Sequence, residues 1–271
     1  MGLLEKNRLL GADNYYETTV TRDPASAPLQ NDVHADALVI GGGLAGLSAA
    51  LALAERGMKV VLLEAQQVCA GPSGRNGGQV ISGLACGQSV YEKQFGMDTA
   101  KAVWDLSVQA VALVKQRIAQ HQIDCDPVWS YLTAADSPRK VRALADDVAH
   151  MQRHYGVQMP WYSGASLKQQ INSPRFLAAA ADPLSGHINA LRYGLGLARA
   201  ARHAGVLVYE HTAVTALTQA VSGSDKWRAQ TAQGSVSADW VVVAGNCALA
   251  WEGPQVAKPL HQRIMPVGTY I

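Results

Sequence analysis

Residues 36–79 read DALVIGGGLAGLSAALALAERGMKVVLLEAQQVCAGPSGRNGGQ, and this stretch decides the fold. The apolar run 37–40 predicts a buried strand, and three adjacent glycines follow it. The alanines and leucines of residues 44–54 predict a helix. A second apolar run, residues 60–63, predicts another strand. Together these segments predict a β-α-β unit.

The glycines of this unit have the spacing of a dinucleotide-binding motif. Gly41, Gly43 and Gly46 form G-x-G-x-x-G between the predicted strand and the predicted helix. In such a motif the first glycine allows a tight turn, the second lets the backbone approach a pyrophosphate, and the third lets the helix pack against the strand. The positive end of the helix faces the phosphates. Glu64 closes the second strand, where a carboxylate suits a ribose 2′-OH.

A membrane helix is the alternative interpretation of the same residues. Residues 37–54 carry no charge, and Gly42 and Gly46 form a G-x-x-x-G pattern. However, three adjacent glycines would lie within the hydrocarbon region, and charged residues flank the run closely at Asp36 and Glu55. We therefore predict no membrane segment.

Composition favours a globular protein that acts on small molecules. The 271 residues are 48% hydrophobic and 16% charged, enough for one large domain or two smaller ones. The net charge of +2 and the lack of basic runs give no reason to expect nucleic acid or an anionic membrane as a partner. Four scattered cysteines without metal-ligand spacing predict neither a metal site nor a disulfide framework, and fit the cytoplasm. They are Cys69, Cys86, Cys125 and Cys247.

The segment after the second strand separates two cofactor interpretations. Residues 71–78 contain four glycines, which make regular structure costly. Such a loop is either surface slack or a place where backbone N–H groups press against a flat ring system. A flavoenzyme needs backbone donors along the isoalloxazine edge, whereas a nicotinamide-dependent dehydrogenase gives no reason for this loop. Its position directly after Glu64 favours the flavin.

Three motifs carry a resemblance to a known family. GGGLAGLSAALALAERG, SGRNGGQ and the later GHINALRYGLGLARAA resemble the D-amino-acid-oxidase-like FAD-dependent oxidoreductases, in their γ-glutamylputrescine oxidase branch. The resemblance covers most of the chain from about Tyr15 onward, and SGRNGGQ is its most specific motif. It implies FAD as the cofactor. Family members run considerably further, so the resemblance also implies that this sequence is a C-terminally truncated piece of a longer protein.

The implied fold is α/β, an FAD/NAD(P)-binding Rossmann-like three-layer fold with a β-meander and a partial second α+β substrate domain. Short β patterns at 206–210, 213–217, 227–231 and 235–237 predict the meander, and residues 240–246 predict a buried strand. The predicted segments are an N-terminal arm (1–35), a first FAD-domain part (36–126), a substrate-domain insert (127–188), a second FAD-domain part (189–258) and the start of the remaining substrate domain (259–271). The arm is predicted either to lie over the next domain or to be a partly ordered tail.

The glycine pattern and the resemblance together predict a cofactor site. Its residues are Gly41, Gly43, Leu44, Ala45, Gly46, Glu64, Ala65, Ser73, Gly74, Arg75, Asn76, Gly77, Gly78, Val214, Ala244 and Gly245. His187 is the candidate acid/base group, with a structural hydrogen-bonding role as the alternative.

The resemblance further implies oxidation of an amine, either γ-glutamylputrescine or another amino compound. Hydride transfer to flavin N5 would give an aldehyde and ammonia, and oxygen would give hydrogen peroxide. Putrescine breakdown is the implied context. A nicotinamide-dependent dehydrogenase and a non-catalytic FAD-binding fragment or subunit are the alternatives. The sequence leaves the oligomeric state open.

Overall fold

The computed structural model of the protein describes residues 14–219 and 226–246. The strands in chain order are β1 (Val33–Ile40), β2 (Val60–Leu63), β3 (Gln79–Val80), β4 (Val128–Ala135), β5 (Trp161–Ser163), β6 (Ala178–His187), β7 (Leu207–Tyr209), β8 (Ala216–Gln219), β9 (Trp227–Gln230) and β10 (Ser235–Val243). The helices are α1 (Tyr15–Thr18), α2 (Leu44–Ala54), α3 (Gln88–Phe95), α4 (Met97–Gln120), α5 (Pro138–Tyr155), α6 (Gly164–Gln170) and α7 (Ala190–His203).

The described residues form two compact units. The first unit contains residues 14–77, 121–125 and the described residues from 189 onward, and the second contains residues 78–120 and 126–188. The predicted first FAD-domain part, residues 36–126, therefore spans both units. The chain changes unit after Gly77 because β3 pairs with Gly186 and His187 of β6. It remains a prediction that residues 36–126 and 189–258 form an FAD domain and that residues 127–188 belong to a substrate domain.

The first unit is built on a six-stranded sheet in the order β7-β2-β1-β10-β9-β8. β1 lies at its centre and runs parallel to both β2 and β10, with Val39 opposite Leu62 and Val242. Helix α2 connects β1 to β2, and its Leu47 and Leu51 are fully buried. A strand with helical cover buries both faces, which explains why the β1 sequence is a continuous apolar run and does not alternate. The predicted β-α-β unit is confirmed.

The meander consists of fewer strands than the four β patterns indicate. β8, β9 and β10 are antiparallel neighbours, whereas β7 extends the parallel part of the sheet beside β2. The two separate strands predicted near residues 235–237 and 240–246 form one continuous strand, β10. The sequence predicts that the second half of this strand is buried. That prediction is wrong at Trp240, which is 62% exposed.

The described part of the predicted arm contacts the first unit. Leu29 is only 2% exposed and belongs to the same core cluster as Leu38 and Val61. Its N–H donates to Thr212 Oγ1 at 3.1 Å. Residues 1–13 of the predicted arm lie outside the described residues, as do residues 247–271 with Cys247 and the predicted segment 259–271.

The second unit is built on an antiparallel sheet in the order β3-β6-β4, with β5 also paired to β6. Strand β6 lies at its centre, although the sequence analysis predicted no strand there. Its first half is the buried run Ala178–Ala181, and alanine has the highest helix propensity of all residues. Asp182 and Pro183, which follow, are residue types that favour turns. Pairing with β4 and β5 on the two sides overrides those local preferences.

The uncharged run 37–54 is divided between two elements. β1 ends at Ile40, and α2 begins at Leu44 and has 11 residues. Eleven helical residues extend about 16 Å, roughly half the thickness of a bilayer core. Within residues 14–219 and 226–246, no helix is long and apolar enough to cross a membrane.

The central position of β1 gives a stability prediction. Leu38→Ala removes a fully buried side chain from β1 and should lower the free energy of unfolding by about 2–5 kcal/mol, through lost burial and a cavity. Leu207→Ala, at a 42% exposed position in the same sheet, is the matched control and should cost about 1 kcal/mol or less. Urea unfolding followed by circular dichroism measures both. Equal losses would contradict the central role of β1.

Candidate functional site

The first predicted bend lies where β1 ends. Gly41 has φ +111°, a conformation that side chains rarely allow. A Cβ built on it would lie 2.6 Å from the carbonyl oxygen of Ala244 and 2.9 Å from the nitrogen of Gly245. The Ala244 N–H donates to the Ile40 carbonyl at 2.8 Å. The structure thus places the ends of β1 and β10, which the sequence analysis assigned to one cofactor, against each other.

Helix α2 begins directly beyond this bend. A Cβ on Gly46 would lie 1.9 Å from the carbonyl oxygen of Gly41, so the helix packs against the bend with only a hydrogen at position 46. The first backbone N–H groups of a helix have no acceptor within the helix. One of them, that of Leu44, donates to Ser73 Oγ at 3.1 Å. Leu44 and Ala45 therefore lie at a helix end of the kind that binds anions.

Ser73 brings the glycine-rich loop to the same place. A Cβ on Gly43 would lie 2.7 Å from Ser73 Oγ, so the loop closes over the start of α2 only because Gly43 has no side chain. A hydroxyl that accepts one hydrogen bond keeps its own proton to donate. The second predicted bend thus lies next to the first, with a hydroxyl donor at the helix N-terminus.

The rest of the loop is held by its own hydrogen bonds. Residues Pro72–Gly74 form a short 3₁₀ turn. Asn76 Nδ2 donates to the Ser73 carbonyl at 2.9 Å, and Arg75 Nε donates to the Gly71 carbonyl at 3.4 Å. Burial lowers the pKa of the Arg75 guanidinium. The loop is therefore an ordered turn a short distance after Glu64 in the sequence, and not surface slack.

The last two glycines of the loop lie at the boundary between the units. Gly77 is the last residue of this segment of the first unit, and Gly78, with φ +72°, begins the second unit. The Gly78 carbonyl accepts the N–H of Ile188, also in the second unit. The assignment of both glycines to the cofactor stays a prediction.

Glu64 lies at the end of β2 with its carboxylate turned toward the glycine turn. Its Oε2 accepts the Gly42 N–H at 2.6 Å, and its Oε1 accepts the Gln66 N–H at 2.8 Å. Burial raises the pKa of the Glu64 carboxyl, an effect that these two N–H donors oppose. Gly42 was missing from the predicted site, although the run of three glycines marked it: a Cβ there would lie 3.1 Å from the Glu64 side chain.

The segment that contains Val214 lies beside the end of β2. The Thr212 N–H donates to the Glu64 carbonyl, and the His211 N–H donates to the Gln66 carbonyl, both at 2.8 Å. Val214 itself is 8% exposed and belongs to the core cluster around β1 and β2. Ala65, between these two paired residues, is half-buried. Ala65 directly follows Glu64 in the chain, and the assignment of Val214 and Ala65 to the cofactor stays a prediction.

Cys69 belongs to this arrangement and was also missed. It has φ +56°, and its N–H donates to the Gly42 carbonyl at 3.0 Å. Burial raises the pKa of its thiol to about 12, so the thiol stays protonated at neutral pH. Gly42 is therefore held on both sides, by Glu64 at its N–H and by Cys69 at its carbonyl. A cysteine at positive φ has no recognisable signal in one sequence.

The candidate acid/base residue lies in the second unit. His187 is the last residue of β6, where it pairs with Gln79 and Val128, and its side chain is exposed. Its catalytic role stays a prediction.

The assembled residues fit a diphosphate-bearing dinucleotide. The N-terminus of α2 and the Ser73 hydroxyl supply donors for phosphate oxygens, and the Glu64 carboxylate supplies an acceptor for ribose hydroxyls. The absence of Cβ atoms at Gly41 and Gly43 brings backbone to backbone at the same point. Because these groups come from three separate segments of the chain, their convergence is a property of the fold and not of local sequence.

Comparison with known proteins gives a family and several relatives. The DAO model, described as FAD dependent oxidoreductase, matches residues 36–271. The chain is 34% identical over 258 residues to gamma-glutamylputrescine oxidoreductase of Escherichia coli (strain K12), a match covering 95% of this chain and 59% of that protein. It is 34% identical over 259 residues to "Probable oxidoreductase OrdL" of Haemophilus influenzae, with the same two coverages. The chain thus spans 59% of the length of these curated relatives.

Solved structures share the fold. The crystal structure of glycine oxidase from Geobacillus kaustophilus matches with a TM-score of 0.66 and 23% identity, covering 82% of this chain and 58% of that one. At this level of identity the likeness concerns the fold alone. Together with the parallel core of the first unit, it confirms the predicted Rossmann-like α/β fold.

Glu64→Gln tests the proposed ribose contact. The amide keeps the size of the side chain but removes the charge, and we expect the dissociation constant of FAD to rise about 10-fold or more. Glu55→Gln, just beyond the other end of α2, is the matched control and should leave FAD binding unchanged. Titration of the FAD-free chain with FAD, followed by flavin fluorescence, measures both. Unchanged affinity in Glu64→Gln would remove Glu64 from the site.

Gly43→Val tests the close approach at the start of α2. Gly43 has φ −80°, so its backbone tolerates a side chain, but a Cβ there would displace Ser73. We expect a folded protein that is purified without FAD, because the diphosphate position is blocked. Ala54→Val adds a β-branched residue at the far end of α2 and should keep FAD. Visible absorbance detects the flavin, and circular dichroism checks the fold. A yellow Gly43→Val protein would contradict the assignment.

Proposed function

Because the chain belongs to the family of FAD dependent oxidoreductases, we propose that its first unit binds FAD in an enzyme that oxidises an amine. The match to residues 36–271 confirms the predicted family, the predicted FAD cofactor and the predicted class of enzyme, an oxidoreductase. The observation that carries the proposal is the convergence of Ser73, the start of α2 and the Glu64 carboxylate on the glycine turn.

The proposed substrate is γ-glutamylputrescine. The support is the 34% identity, over 95% of this chain, to a protein named gamma-glutamylputrescine oxidoreductase. A neutral amine is the form that loses a hydride from its carbon, so the site must exclude water and favour the uncharged amine. Oxidation of the C–N bond gives an imine, which hydrolyses to an aldehyde and ammonia. Oxygen is the proposed acceptor that restores the oxidised enzyme, with hydrogen peroxide as product.

FAD, when bound, would serve as the two-electron acceptor, and the protein would bind and orient FAD and the substrate. The Ser73 hydroxyl and the first N–H groups of α2 would hold the diphosphate. Glu64 would hold the ribose, since each of its oxygens accepts one backbone N–H and a carboxylate oxygen has a further lone pair to accept a ribose hydroxyl. By the family resemblance the Val214 backbone would meet the adenine, and Ala244 and Gly245 would let the backbone approach the cofactor. No residue of the described chain is required to form a covalent intermediate.

FAD binding without turnover is the second candidate function. It is favoured by the fact that the contacts argued for the site concern the cofactor and none of them concerns an amine. The two candidates differ in one observable, the reduction of bound flavin by an amine.

An absorbance experiment separates them. The purified chain should be yellow, and γ-glutamylputrescine added without oxygen should bleach the flavin bands. Readmitting oxygen should restore the bands and release hydrogen peroxide. Putrescine, which lacks the γ-glutamyl group, is the matched control and should bleach more slowly. Bound FAD that no amine reduces would refute amine oxidation by this chain and leave FAD binding alone. Reduction by glycine but not by γ-glutamylputrescine would refute the substrate.

A further inference from the structure

Two residues of the N-terminal arm contact the segment 68–74, which overlaps the glycine-rich loop. Asn14 and Arg22 make these contacts, and with Glu17, which binds Arg22, they form what we call the arm clamp. The 68–74 loop contains Ser73, whose hydroxyl lies next to the start of α2. Neither the family motifs nor the proposed function involves the arm.

Arg22 fixes the first end of this loop. Its Nη1 donates to the Val68 carbonyl at 2.8 Å. Its other nitrogens form a two-pronged contact with the Glu17 carboxylate, at 2.6 and 2.9 Å, and its side chain is only 17% exposed. Such paired bonds hold a guanidinium in one orientation. The Val68 N–H is held as well, by Glu210 Oε1 at 2.8 Å, so the peptide groups on both sides of Val68 are fixed.

Asn14 fixes the second end. Its Nδ2 donates to the Gly74 carbonyl at 3.3 Å, while its Oδ1 accepts the Tyr16 N–H at 3.1 Å and caps α1. A side chain is excluded at position 74, because a Cβ there would lie 2.2 Å from the Cys69 carbonyl oxygen. The residue before it is Ser73, so a movement of the Gly74 carbonyl also moves the Ser73 hydroxyl.

The rest of the arm is anchored without the clamp. The Ser26 N–H donates to Glu210 Oε2 at 2.6 Å, Thr19 accepts hydrogen bonds from Asn189 and Arg192, and Leu29 is buried in the core. Loss of one clamp hydrogen bond therefore leaves the arm attached. What changes is the freedom of the loop that contains Ser73.

We propose that the arm clamp is a positioning device for FAD: Asn14 and Arg22 hold the 68–74 loop so that the Ser73 hydroxyl lies at the N-terminus of α2 before the diphosphate arrives. Neither residue needs to touch the cofactor. Preorganisation of this kind strengthens binding because the ordering cost has been met in the folded protein. The proposal rests on FAD binding by the first unit, and it does not depend on which substrate is oxidised.

Two substitutions test the clamp. Asn14→Ser keeps a side-chain oxygen that caps α1 but is too short to reach Gly74. We expect it to raise the FAD dissociation constant about 2- to 10-fold, the range for one neutral hydrogen bond. Arg22→Gln removes the charged contacts and should raise the constant about 10-fold or more. Arg228→Gln is the matched control, since Arg228 pairs with Asp32 at 3.0 Å, away from the loop, and should leave the constant unchanged.

The readouts separate positioning from general stability. FAD titration by flavin fluorescence gives the dissociation constant, and thermal unfolding of the FAD-free chain gives its midpoint. The clamp predicts weaker FAD binding in Asn14→Ser with an unchanged midpoint. A lowered midpoint with unchanged affinity in both variants would overturn the proposal, and so would unchanged values throughout. Failure of the unaltered chain to bind FAD would overturn the proposed cofactor site as well, whereas FAD that binds but is not reduced by amines affects only the proposed reaction.

Discussion

The whole arrangement depends on the distance between α2 and the end of β1. A Cβ at position 46 would lie 1.9 Å from the Gly41 carbonyl oxygen, far inside van der Waals contact. With glycine there, the helix starts directly over the bend and points its first N–H groups at the space beyond β1. Any larger residue would push the helix away, and the Leu44 N–H would lose the Ser73 hydroxyl. Packing at one glycine thus sets the position of the helix N-terminus that we propose holds the diphosphate.

The turn itself is held as firmly as the helix. The Gly42 peptide groups are bound on both sides, with the N–H donated to the Glu64 carboxylate and the carbonyl accepting from Cys69. Glu64 fixes the turn with its carboxylate, and in our proposal the same charged group would accept a hydrogen bond from the ribose. Burial makes that charge costly, which is visible as the raised pKa of its carboxyl, and the two backbone donors offset part of the cost. Arg22 and Asn14 extend the same network to the arm.

The sequence predicted what local patterns determine. The run 37–40, the glycines and the apolar residues 44–54 identify β1, the bend and α2, because strand and helix periods are properties of short segments. Helix ends show signals of the same local kind, since Asn189 accepts the Arg192 N–H at the start of α7 and Gly156 has the left-handed conformation at the end of α5. Spacing also placed Glu64 at the end of the second strand.

The remainder depends on pairing between distant segments, which one sequence does not reveal. Nothing in residues 178–187 indicates that β6 is the centre of a sheet, since its partners lie up to about a hundred residues away. The continuity of β10, the position of β7 beside β2, and the contacts of Cys69 and Asn14 have the same origin. Gly43, Glu64 and Ser73 lie together at the glycine turn, whereas His187 and Gly78 belong to the second unit. The contacts by which Gly42, Cys69 and Arg22 hold this arrangement are visible only in the structure.

The central claim is that the glycine turn and the glycine-rich loop, residues 71–78, form one cofactor site. Amide hydrogen exchange with and without FAD tests this claim most directly. We predict that FAD slows exchange in residues 41–46, 64–66 and 73–77 together, with little change in β8 and β9, which lie at the other edge of the sheet. Bound FAD that leaves the exchange rates of both the turn and the loop unchanged, and protects other segments instead, would contradict the claim.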